Sequence, residues 1–280
     1  MCKLLYCEFL KYKRTKVIPL LTALSALFPL ALLVFTGSDL RGAATPAEQR
    51  AYYDGLFNNS LVYGSLLLFP CLFGCISAIL FFTERDCDTF KNLRVVPVTR
   101  NALIFAKLGA LYLWSVVYSV CSVLSATLFC FLWQPAAVYD VPFKVLCSIV
   151  TAIAMATVSL PVVVIVVYRN QNYVLSSLLS FLYAVANWLL LILFSSNDSA
   201  LLWLPIMNGF LFTSRLWGWR KAALGLAELA PLSPGMYLHV ALYLAALFLL
   251  SVVLIVHFYK KWSREKYTFS RPFSLITILI

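Results

Sequence analysis

The chain has 280 residues, 62% of them hydrophobic and only 12% charged, with a mean hydropathy of +0.90. A soluble domain carries about 25% charged residues, so this composition excludes a globule surrounded by water and leaves an all-α polytopic membrane protein. The net charge of +11 would suggest nucleic acid in a soluble chain; here it reads as membrane topology and contact with anionic lipid, with no nucleic-acid partner.

The opening MCKLLYCEFLKYKRTK is polar and basic, and no small-x-small site ends the first apolar run, so it does not read as a cleavable signal. Leu5, Phe9 and Tyr12 recur at i, i+4 and i+7, while Lys3, Lys11 and Arg14 lie elsewhere on the wheel. That pattern predicts an amphipathic helix over Leu4–Arg14 on the inner leaflet. A plain basic anchor for the first span, or a docking surface for a soluble partner, would use the same residues.

Apolar runs of about 20 residues predict six spans. They are Val17–Phe35, Leu61–Phe82 with a kink at Pro70 and Gly74, a third within Ala102–Trp133, Phe143–Tyr168 bent near Pro161, Tyr173–Phe194, and Met236–Tyr259. The third run exceeds what a bilayer needs, so its start is expected along the surface, with the crossing from about Phe105 and Lys107 snorkelling to water. With both termini inside, only Arg41, Arg50, Lys144, Arg215, Arg220 and Lys221 of the 22 basic residues fall outside, which is the expected bias. Residues 200–219 are apolar but contain Pro205, Asn208 and Gly209. They read as an external re-entrant or interfacial segment before the sixth span; a seventh span would put the basic tail outside.

Between spans two and three lies TERDCDTFKNLRVVPVTR, Thr83–Arg100. Thr83 can cap a helix; Glu84, Asp86 and Asp88 would load its first turns and Lys91 and Arg94 its last, as the helix dipole favours, and Pro97 would stop it. The segment is either a docking helix or a solvated linker. The spans carry almost no charge at mid-depth, which argues against ion-coupled transport. Asn187, beside Trp188, is the exception, and could line a path or bond to a neighbouring helix.

Of the eight cysteines most fall in or near spans, and Cys71 and Cys75 have no His or carboxylate beside them. No metal site is expected. There is no phosphate-binding loop, no HExxH or GxSxG, and no converging His–carboxylate pair, so no catalytic residue is assigned.

The loop Glu84–Leu108 resembles the first intracellular loop of ABC-2 type transporter permeases. There a Glu opens the loop, followed by Thr plus an apolar residue, a Pro-x-Ser/Thr-Arg turn and a Lys in the next span. Here these are Glu84, Thr89–Phe90, Pro97–Arg100 and Lys107. Asp88 stands where the family often has Gly. EFLKYKRTK, Glu8–Lys16, is similar to the family's connecting helix, and size and opening are most like the permeases protecting bacteria from lantibiotics.

The resemblance implies a single permease domain over residues 1–280 in a bacterial plasma membrane. It implies two copies of a separate ATPase subunit holding ATP and Mg, and a second permease chain, identical or related. Lipid and an amphipathic peptide cargo would be the other partners, and this chain would hold no cofactor. Glu84, Asp88, Thr89, Phe90, Lys91 and Arg94 would couple to the ATPase, with Leu5, Glu8, Phe9, Lys11 and Tyr12 as a second contact. Phe69, Phe73, Asn187 and Trp188 would line the cargo path. The alternatives are export of another amphipathic drug or lipid, a sensor or scaffold that moves nothing, and a membrane-embedded lipid enzyme.

Overall fold

The computed structural model describes residues 2–42, 45–86, 99–169, 172–194, 203–225 and 234–268. Every regular element among them is helical: α1 (Cys2–Arg14), α2 (Val17–Gly42), α3 (Pro46–Tyr63), α4 (Phe69–Asp86), α5 (Arg100–Trp133), α6 (Val141–Arg169), α7 (Tyr173–Leu193), α8 (Pro205–Ala223) and α9 (Pro234–Thr268). Six helical stretches are long and apolar enough to cross a membrane: Val17–Phe35, Pro46–Thr83, Arg100–Trp133, Val141–Arg169, Tyr173–Leu193 and Gly235–Lys261. The chain is a multi-pass helical membrane protein.

The second stretch is longer than its sequence suggests. Thr45 caps α3: its hydroxyl accepts from the Glu48 N–H at 3.3 Å, and the Thr45 N–H donates to Glu48 Oε2 at 3.2 Å. With Pro46 at the first helical position, this is a full capping box. From there the chain stays helical to Asp86. Pro70 has no N–H and would clash with the carbonyl one turn back. A π-helical turn, Gly64–Leu68, precedes it, with the Phe69 N–H donating to Gly64 O. The irregularity therefore sits N-terminal to Pro70. Gly74 serves packing: an added Cβ would run into Ser180 of α7 and Val162 of α6.

The α4 and α6 spans form the centre, each 67% buried, and α2, α7 and the α9 span surround them at 22%. The central helix α6 offers small buried residues, among them Ser148, Ala152, Ala156 and Ser159, which let neighbours approach closely. Cross-helix hydrogen bonds stitch the layers, including Trp114 Nε1 to Thr22 Oγ1 and Tyr183 Oη to Val158 O, both 2.9 Å. The outer helices leave large apolar side chains such as Val34, Phe181 and Leu249 exposed, as faces meeting lipid tails or a second chain must be.

Within residues 200–219 the helix is not interrupted, and the expectation for Lys107 is corrected. Asn208 and Gly209 lie inside α8, which begins at Pro205. Gly209 lets α8 settle on α6, where its Cβ position is 3.1 Å from Val158 and 3.2 Å from Met155. Lys107 does not snorkel. It is fully buried, because α1 lies across α5 and closes over it.

Candidate functional site: a buried charge centre at each end of the bundle

At the end carrying α1, the helix turns Leu5, Glu8 and Phe9 inward along one face, as i, i+3 and i+4 spacing allows. Leu5 and Phe9 pack against the main core, and Gly109 makes room, with Leu5 Cδ1 only 3.2 Å from where a Cβ would stand. Glu8 is 1% exposed. The Lys107 Nζ lies 3.6 Å from Glu8 Oε2 and donates to the Leu80 carbonyl at 2.6 Å. One ammonium thus joins α1, α5 and the last turns of α4.

Asp88, Thr89, Phe90, Lys91 and Arg94, which the resemblance assigns to ATPase coupling, lie outside the described residues, as do the side chains of Glu84, Lys11 and Tyr12. The flanks of the loop are described. Thr83 is internal to α4 and its hydroxyl bonds Ile79 O, so it cannot cap a following helix. Asp86 accepts from the Tyr173 hydroxyl at 2.7 Å. Thr99 caps α5, accepting from the Ala102 N–H at 3.3 Å.

Phe69, Phe73, Asn187 and Trp188, the residues expected to line a cargo path, have these surroundings within the chain. Phe69 and Phe73 are buried within the chain, stacked on each other with centroids 5.5 Å apart, and Phe69 also stacks on Trp114 at 6.1 Å. Asn187 bonds back to Tyr183 O of its own helix at 2.8 Å, not to a neighbour. Trp188 is half-buried beside Tyr63, 6.2 Å between centroids.

The opposite end holds a second centre. Asp54 of α3, 6% exposed, receives Lys144 Nζ on Oδ1 at 2.9 Å, and the Tyr139 hydroxyl and Lys221 Nζ on Oδ2 at 2.6 and 3.1 Å. Lys144 is fully buried. Its ammonium stands 3.4 Å from the Tyr53 ring centroid, 4.4 Å from Tyr139 and 5.0 Å from Trp217, a set of cation–π contacts that offsets part of its desolvation. Beside it Arg220 forks onto Asp140 at 2.7 and 3.2 Å, a bidentate pair that ties α8 to the start of α6. Burial, then the hydrogen bond from its hydroxyl to Asp54, push the Tyr139 phenol far above its ordinary value; it remains a neutral donor.

A cavity of about 890 Å³ opens over this centre, lined by Arg50, Asp54, Asn58, Tyr139, Trp217 and Lys221 among others. No group of three or more potential metal ligands occurs among the described residues. Sequence reasoning counted Lys144, Arg220 and Lys221 as outside charges and did not join them. The signal was faint: two Tyr-Asp pairs, Tyr53-Asp54 and Tyr139-Asp140, in a chain with 11 acidic residues.

A family model described as ABC-2 family transporter protein matches residues 4–187. The chain belongs to the ABC-2 transporter family. It is a membrane permease of an ABC transporter, a family whose members work with an ABC ATPase. A comparison with curated proteins returned no match. The ABC-2 match contains the whole α1-end centre, Glu8, Leu80 and Lys107. It ends at Asn187 and so leaves out Trp217, Arg220 and Lys221 of the other.

Proposed function

We propose that this chain is the membrane-spanning subunit of an ATP-driven exporter that clears lantibiotics or similar amphipathic peptide antibiotics from a bacterial plasma membrane. It contributes no nucleotide site and no cofactor; ATP and Mg belong to two copies of a partner ATPase, and a second permease chain completes the transporter. Membership in the ABC-2 family carries the transport reading. The cargo reading is supported by apolar outer faces and by charged side chains gathered near the ends of the bundle.

In this reading the α1 end faces the cytoplasm and the segment 84–96 docks in a cleft of the ATPase. The inward turn of Glu8 refines the role of α1. Its exposed residues Lys3, Tyr6, Cys7 and Leu10 meet the ATPase or lipid, while Glu8 and Lys107 fix α1 to the carbonyl end of α4. Movement of the loop at the ATPase then moves α1, α4 and α5 together. A rigid link of this kind turns nucleotide-driven closure into rocking of the first spans.

Purification in mild detergent tests the transport reading: the ATPase should copurify with the permease. A permease that is stable and alone would overturn it and put a sensor or scaffold first. ATP-dependent release of a cationic amphipathic peptide from vesicles tests the cargo, and no release of any such peptide would remove it.

A further inference from the structure

The cavity over Asp54 is rich in donors and poor in acceptors. Both carboxylate oxygens of Asp54 are engaged, by Lys144, Lys221 and Tyr139. On the donor side stand the Lys221 ammonium, the exposed Arg50 guanidinium and the Asn58 amide. Arg50 touches the Tyr139 ring, 5.9 Å from its centroid, and forms no ion pair among the described residues. The Trp217 side chain also lines the cavity. Its indole N–H is buried away from the open space and has no hydrogen-bond partner among the described residues, so the ring serves as an apolar wall and the exposed Asn58 amide is the neutral donor. Counting Asp54 against Lys144, Lys221 and Arg50 leaves the cavity with an excess of two positive charges.

We infer that this cavity binds a phosphate-bearing anionic headgroup, with Arg50 and Lys221 as its cationic ligands and the Asn58 amide as a neutral donor. Tetrahedral phosphate oxygens suit several converging donors. The position fits a lipid. Asp54 lies seven residues before Leu61, where the apolar run begins, which is about 10 Å along a helix and close to the headgroup layer of a bilayer. Trp219, 57% exposed, adjoins Arg220 at this end, as indoles do at a membrane interface.

The test uses the full-length chain and requires no ATPase, so its failure leaves the transport reading standing. Short-chain phosphatidylglycerol and phosphatidylcholine of equal chain length are titrated and followed by native mass spectrometry, with inorganic phosphate as competitor. Phosphatidylglycerol should bind and phosphatidylcholine should bind weakly, because the choline cation meets Arg50 and Lys221. Arg50→Gln and Lys221→Gln should each weaken retention about tenfold, the scale of a charge-assisted contact. Asn58→Ala, which removes the neutral donor, should weaken it several-fold. Displacement by inorganic phosphate would show that the anion alone suffices; resistance to it would show that the headgroup is read with its lipid. Either supports the site. Equal binding of the two lipids would overturn it, as would wild-type affinity in Arg50→Gln, whose exposed side chain has no ion pair among the described residues to disturb.

Discussion

The permease holds two fully buried lysines at opposite ends, and they are satisfied in different ways. Lys107 is enclosed, giving a short bond to a backbone carbonyl and a longer contact to Glu8 at 3.6 Å. Lys144 has a direct carboxylate at 2.9 Å and a wall of aromatic rings, beneath an open cavity. A carbonyl and a carboxylate from two different helices make Lys107 a mechanical joint. Lys144 instead neutralises Asp54 and holds it as the floor of a chamber. One centre suits transmission and the other recognition, although both are buried ammonium groups in one bundle.

Asp54→Ala should break the comparison most severely. It strands Lys144 without an anion, and removing one partner of a buried pair costs about 3–5 kcal/mol. The thermal midpoint in detergent should fall sharply. A midpoint near wild type would show that the aromatic rings alone carry the Lys144 charge.

Lys107→Met comes next. The flexible apolar stem still fills the space, so the loss should be smaller, about 2–3 kcal/mol. Its mark should be functional: transport falls more than ATP hydrolysis does, because α1 is no longer joined to α4. A double-mutant cycle sharpens the contrast. Coupling between Asp54 and Lys144 should exceed that between Glu8 and Lys107, following 2.9 against 3.6 Å. Equal coupling energies would erase the distinction.

Between the two ends, Gly74→Ala should cost about 1–3 kcal/mol by overpacking, since the new methyl meets Ser180 and Val162. The loss should appear in the thermal midpoint while cross-linking of α1 to α5 stays as in wild type. If that cross-linking fell as well, the bundle would transmit strain from its middle to the α1 end.

The six spans were legible because an apolar run of bilayer length is a local signal, and the family was legible in Glu84–Leu108. The start of α3 was not recognised. Glu48, Gln49, Arg50 and Asp54 make residues 36–60 look like a loop, although Thr45, Pro46 and Glu48 spell out a helix start. The burial of Lys107 could not be read from its own span, since it depends on α1 folding across α5. The far centre was least visible: Asp54 and Lys144 are 90 residues apart, and Asp140 and Arg220 are 80. Only packing of α3, α6 and α8 brings such distant charges together, and no periodicity records it.

The smallest expected effect lies at that missed helix start. Thr45→Ala removes one half of the capping box and should cost about 1 kcal/mol. The residues it loosens, from Pro46 to Asn58, form one wall of the chamber and are remote from Glu8 and Lys107. Hydrogen exchange should therefore rise in the first turns of α3 and fade before the π-helical turn at Gly64, while coupling of ATP hydrolysis to transport stays at the wild-type level. If exchange also rose around Leu80 and Lys107, the helical path from Pro46 to Asp86 would be carrying the disturbance along its length, and the two centres would be parts of one device.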